Sequence, residues 1–136
     1  MKRCRWVNLD NKLYVDYHDR EWGVPKYDVD KVNELMNNKD IIRNKLKIKA
    51  SINNSKVFID IRSEFGSFSN YIWGFTNNKI LYNCMVAYND LSDRISNDLK
   101  KRGMKFVGSI IIYSYLQAIG VINDHEDGCF LHKEEL

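Results

Sequence analysis

A chain of 136 residues with 44% apolar composition is long enough to bury one sizeable core and gives no reason to invoke two, so a single domain over residues 1–136 is expected. Twenty-one lysines and arginines against 18 acidic residues leave a net charge of +3, too mild to announce a nucleic-acid binder, so any DNA interface rests on where the cations lie. The longest apolar runs, such as GSIII, are too short to span a membrane, and the basic start MKR leads into no apolar leader, so an intracellular chain without membrane association is expected.

Along the chain, the first polar and aromatic stretch, YHDREWGVP, precedes a helical pattern in Val29, Val32, Leu35 and Met36. Asp40 is a suitable N-cap for a second helix that carries Ile41, Ile42 and Leu46, and the spacing from Ile48 through Ile52 to Ile59 keeps the helical period. Lys45, Lys47 and Lys49 in KLKIK read as its solvated face. At EFGS, Gly66 permits a turn and Ser67 can cap a helix whose apolar stripe is Phe68, Tyr71, Ile72 and Phe75. TNNKI and AYNDL read as loops, because Asn and Asp side chains compete for backbone hydrogen bonds.

Ser92 can cap the helix DRISNDLKKR, whose last turn is basic and whose end is marked by Gly103. A second helix begins almost at once, and the β-branched run Ile110 to Ile112 continues through Tyr113, Leu116 and Ile119 to Gly120 as a buried helix rather than a strand. The class is therefore all-α. A short hairpin bearing Gly103 and Gly108 leaves unpaired N–H groups at the second helix's start, an anion site that Lys105 and Ser109 can strengthen. A DNA phosphate fits there without any base being read. An ordinary tight turn between core helices satisfies the same spacing.

Cysteines 4, 84 and 129 are an odd, widely spaced set, which argues against a disulfide framework and fits a reducing compartment. His125 and Cys129 are four apart and can reach one ion, with Cys4 and His18 as the best further ligands and His132 as a substitute. Cys84 is left as a bystander. Such a Cys₂His₂ set suits structural zinc, although ligands this far apart form no self-contained motif, and inert thiols with a satisfied histidine remain the bland reading.

Taken together, RCRWV, YHDREWGVP, FGSFSNYIWGF, LKKRGMKFVGSIIIYSYLQAIGVINDH and Cys129 closely resemble the bacterial 3-methyladenine DNA glycosylase I family, in family order and over most of the chain. The resemblance implies an all-α helix-hairpin-helix domain whose two termini are joined by zinc on Cys4, His18, His125 and Cys129. It implies a base-excision repair enzyme that hydrolyses the N-glycosidic bond of 3-methyladenine in alkylated double-stranded DNA, working in the bacterial cytoplasm on the nucleoid. By the same resemblance Tyr17, Trp22 and Trp6 line the base pocket, and Gly103, Lys105, Phe106, Val107, Gly108 and Ser109 form the DNA-contacting hairpin.

One departure bears on activity. Near residues 28–30 the family carries a long helical segment with the glutamate that contacts the modified base and a tryptophan that stacks on it, and this chain lacks that segment. A smaller gap falls after AYNDL. Glu21 and Asp124 are the carboxylates nearest in sequence to Trp22 and His125, but a solvent-facing Glu21 and an Asp124 that orients a metal-bound histidine are the ordinary readings. The loss leaves two expectations, a shortened glycosylase or a zinc-stabilised DNA-binding remnant, and uncovered apolar surface that favours self-association.

Overall fold

The computed structural model describes residues 24–133. The chain divides into two compact units, Met1–Lys56 and Val57–Leu136. In the first, a 3-10 turn at Val24–Lys26 leads into α1, Val29–Met36, capped by Asp28, whose carboxylate accepts the Lys31 N–H at 2.9 Å. Val32 is the buried residue of α1, whereas Val29 is exposed.

Helix α2, Lys45–Phe65, is 21 residues long and passes through the division between the units. Asp40 does not start it. Residues 41–44 lie outside any helix, and the side chain of Asn44 accepts the Lys47 N–H at 3.1 Å. A cap must stand next to the first helical residue, and Asp40 is too far upstream; Ile41 and Ile42 are left exposed in the connection.

In the second unit, α3 (Phe68–Gly74) begins as anticipated: Gly66 takes φ +83° and Ser67 Oγ accepts the Asn70 N–H at 2.9 Å. Tyr71 and Ile72 are buried, with Phe68 and Phe75 packed against the same core. Helix α4 (Asp90–Lys101) and helix α5 (Ser109–Ala118) follow. Ile61 of α2, Ile72 of α3, Ile95 and Leu99 of α4 and Leu116 of α5 meet in one core.

Among the described residues the helices are joined by one feature of another kind, a two-residue parallel pairing of β1 (Leu81–Tyr82) with β2 (Ile122–Asn123). Leu81 N–H donates to Val121 O at 2.9 Å and Asn83 N–H to Asn123 O at 3.1 Å, so the segment after α3 is held beside the segment after α5. The class stays all-α.

The α5 run is helical but only partly buried. Ile112, Tyr113 and Leu116 face the core, whereas Ile110 and Ile111 are 60% and 59% exposed. A helix turns its side chains through all directions every 3.6 residues, so an uninterrupted apolar run longer than one buried stripe puts part of itself outside.

Candidate nucleic-acid interface and metal ligands

The hairpin between α4 and α5 is built by helix termination. After Lys101, Arg102 is the C-cap and Gly103 turns left-handed at φ +100°. Gly103 N–H donates to Lys100 O and Met104 N–H to Leu99 O, both at 3.0 Å, the paired closure in which the residue after the glycine packs on the helix it has left. Met104 and Leu99 are both buried. Gly103 thus stops α4, and its N–H is directed to the helix it ends.

From Met104 the chain alternates. Met104 turns in, Lys105 and Phe106 turn out, and Val107 packs against the core. Two buried serines of α4 fix this path: Ser96 Oγ donates to Val107 O at 2.7 Å, and Ser92 Oγ lies 2.7 Å from Ser109 Oγ. Ser92 is not the N-cap of α4. That position belongs to Asn89, whose side chain accepts the Ser92 N–H while Ser92 Oγ accepts the Asn89 N–H, each at 2.9 Å. Both residues are cap formers, and the reciprocal pair places Asn89 first. Ser92 Oγ also lies 3.0 Å from Asn89 O, within donating reach, and its 2.7 Å contact ties the Ser109 hydroxyl to the hairpin.

Gly108 is the N-cap of α5 and offers no side chain, so nothing of its own covers the N–H groups of the helix's first turn. A Cβ built there would meet nothing within 4 Å, and its φ of −62° is open to any residue. The protein's own packing therefore does not require glycine at 108. An anion approaching those N–H groups does, because glycine lets it come closest.

Behind the hairpin, Arg102 is gripped from four sides. Its Nε donates to Asp98 at 2.8 Å, its Nη1 to Glu64 at 2.6 Å, and its guanidinium lies 5.2 Å from the Phe65 ring centre and 5.3 Å from that of Tyr71. Tyr71 Oη donates to the same Asp98 oxygen at 2.7 Å. Burial pushes the Asp98 carboxyl up, but the bonds from Tyr71 and Arg102 outweigh it and hold it below the usual carboxylate range. Arg102 is thereby a structural cation, and the exposed positive charge of the hairpin is left to Lys100, Lys101 and Lys105.

Past α5 the chain closes a second time in the same manner. Gly120 takes φ +80° and Val121 N–H donates to Leu116 O at 3.0 Å. Asp124 then accepts from Cys84 N–H at 2.7 Å, Met85 N–H at 3.2 Å, Gln117 Nε2 at 3.1 Å and the Tyr113 hydroxyl. Burial pushes this carboxyl up, yet the donors together hold it below its ordinary value. Its oxygens are committed to α5 and the 84–85 loop, so Asp124 works neither as a substitute catalytic carboxylate nor as the partner of the His125 ring. Cys84 beside it has its thiol pKa raised by burial first and by the Asp124 charge second, which suits a bystander and not a ligand.

His125 and Cys129 do converge: Nδ1 and Sγ are 3.7 Å apart. Two donors bound tetrahedrally to one zinc, with ordinary Zn–N and Zn–S lengths, stand about 3.6 Å apart, so this pair fits two corners of such a site. His132 does not join them. Its Nδ1 meets His125 O at 2.5 Å and its Nε2 lies 3.3 Å from Asp127. Cys4, His18, Trp6, Tyr17, Trp22 and Glu21 lie outside the described residues, and among the described residues no three His, Cys, Asp or Glu side chains gather around a common point.

Helix, glycine-closed hairpin and uncapped second helix define the class: an all-α helix-hairpin-helix fold of the DNA glycosylase type. Residues 26–132 match the family described as Methyladenine glycosylase, and the chain belongs to that family. It is 31% identical to DNA-3-methyladenine glycosylase 1 of Escherichia coli (strain K12) over 180 aligned positions, covering 95% of this chain and 96% of that protein. A Haemophilus influenzae DNA-3-methyladenine glycosylase is 26% identical over 178 positions, covering 93% and 96%. Among solved structures, the Staphylococcus aureus 3-methyladenine DNA glycosylase I, determined to explain its recognition of 3-methyladenine, superposes with a TM-score of 0.78 at 25% identity, covering 88% of this chain and 67% of that one.

Proposed function

We propose that this chain is a base-excision repair DNA glycosylase that binds alkylated double-stranded DNA and hydrolyses the N-glycosidic bond of 3-methyladenine. The observation that carries it is the family match across residues 26–132, which includes the hairpin. Methylation at N3 makes adenine cationic and a good leaving group, so holding an extruded base against aromatic faces supplies much of the required help. Tyr17, Trp22 and Trp6 are the rings proposed for that pocket, with the Tyr17 hydroxyl as a hydrogen-bonding group. The hairpin holds the strand through the α5 amides and Lys105, a contact blind to sequence.

The second reading is a DNA-binding remnant without turnover. It is favoured by the 180 aligned positions against a chain of 136 residues, an excess that fits a chain lacking a stretch its relative carries. Release of free base from methylated duplex DNA separates the two. Release of several bases per protein molecule establishes the enzyme; no release at high protein, with salt-sensitive binding retained, establishes the remnant.

Zinc on Cys4, His18, His125 and Cys129 is the structural cofactor of this reading, supported by the separation of His125 and Cys129. When bound, it ties the segments that carry its ligands and adds folding energy. Metal analysis is expected to give one equivalent of zinc, lost in His125→Ala together with several degrees of thermal stability. Metal-free protein of unchanged melting temperature removes the zinc from the scheme.

A further inference from the structure

The stretch 125–132 that carries His125 and Cys129 has no regular structure, yet its path is fixed. Cys129 N–H donates to Glu126 O at 3.0 Å, closing a turn in which Gly128, at φ +86°, takes the left-handed place. His132 N–H donates to Cys129 O at 2.9 Å, and the His132 ring meets His125 O. These contacts lie within the loop and give it a shape. Its attachment comes from Asn123. The Asn123 backbone is held in the β1–β2 pairing, where its carbonyl accepts the Asn83 N–H. From that fixed base its side chain reaches two places in the loop: Oδ1 accepts the His125 N–H and Nδ2 donates to Leu131 O, each at 3.2 Å. One partner is a donor and the other an acceptor, so an amide serves both. A carboxylate lacks the donor, and a hydroxyl on a shorter side chain lacks the reach.

We infer that Asn123 is the positioning residue of the zinc site, pinning the loop on both sides of Cys129 so that the His125 ring and the Cys129 sulfur stay at ligand separation. The inference rests on the proposed zinc-binding role of His125 and Cys129, whose Nδ1 and Sγ stand 3.7 Å apart. A loop already held in shape loses less conformational freedom on taking up an ion than a loose one. Asn123 therefore raises metal affinity without being a ligand, acting through the backbone of the residues that are. Both of its bonds are exposed, so the effect on folding itself is small.

The whole chain, Asn123→Ala and Asn123→Ser are stripped of metal and titrated with zinc against a chromophoric chelator, and with cobalt(II) followed by its visible absorption. Thermal melts of the metal-free forms run in parallel. Asn123→Ala is expected to hold zinc about tenfold more weakly, and Asn123→Ser, which can still accept the His125 N–H, to fall between it and the parent. At saturation the cobalt spectra of both variants match the parent's, because the ligands are untouched, and the metal-free melting temperatures stay together, as exposed substitutions leave them. Parental zinc affinity in Asn123→Ala overturns the inference. So does an affinity loss matched by a fall in metal-free stability, or a cobalt spectrum that reports a changed ligand set. Failure of the zinc reading itself looks different: the parent gives no tetrahedral cobalt spectrum and takes zinc no more tightly than His125→Ala.

Discussion

At the scale of single residues, two carboxylates do most of the polar bookkeeping of the second unit. Asp98 ties α3 to α4 through Tyr71 and Arg102, and Asp124 ties the 84–85 loop to α5. Both are held below their ordinary values although burial opposes it. A carboxyl lowered by folding contributes stability that is present above its unfolded pKa of about 3.9 and disappears as pH falls through the folded value. The melting temperature is therefore expected to fall below about pH 4, and Asp124→Asn to lower it at neutral pH while flattening that acid limb; thermal melts between neutral and strongly acid pH decide it. Tyr71 and Tyr113 are shifted the other way, chiefly by burial, so their share is present at neutral pH and vanishes only in strong alkali. None of this was readable in advance. Asp124 stands next to His125 in sequence and invites a metal-shell role, but its partners come from residues 84, 85, 113 and 117.

At the scale of elements, glycine positions carry the hairpin and divide into two kinds. Gly103 and Gly120 are left-handed closures, at φ +100° and +80°. A Cβ at 103 would lie 3.9 Å from Val57, an ordinary contact, so the penalty of Gly103→Ala is conformational, about 1 kcal/mol in urea unfolding. Gly108→Ala is expected to leave unfolding unchanged and to weaken DNA binding severalfold, because the crowding arises only when the phosphate is present. Equal effects on stability, or an affinity loss confined to Gly103→Ala, contradict this division. The sequence displays these boundaries well because left-handed turns favour glycine, and Ser67 is legible as a hydroxyl N-cap beside such a glycine. Caps were less legible: Asn89 and Ser92 are both competent, as are Asp40 and Asn44, and neighbouring backbone decides between them. The β1–β2 pairing was invisible, since two residues cannot show alternation.

At the scale of the whole molecule, family membership was legible from motifs spread along the chain, and helical periodicity showed that helices supply the core without saying which of them meet. The surface was not. Ile110, Ile111, Tyr115 and Ile119 of the α5 segment are between 37% and 60% exposed, where an apolar run had been expected to be buried, because periodicity reports a helix without saying how much of its girth is covered. Exposed isoleucines on a helix of a shortened family member support self-association. Light scattering is expected to give a mass that rises with concentration, and a monomer at every concentration rules this out. No helix among the described residues is long and apolar enough to cross a membrane, so this apolar surface is not part of a transmembrane span.

The Asp124 hub also reaches beyond its own neighbourhood. Cys84 and Met85 lie in no helix or strand, yet both amide protons point into a carboxylate that is itself fastened to α5. Exchange at these amides requires the loop and the carboxylate to part, and the carboxylate is held by Tyr113 and Gln117 of α5. Deuterium should therefore enter that loop more slowly than its lack of regular structure suggests, and Asp124→Asn should speed it, making the stretch a reporter of how firmly it is fastened to α5.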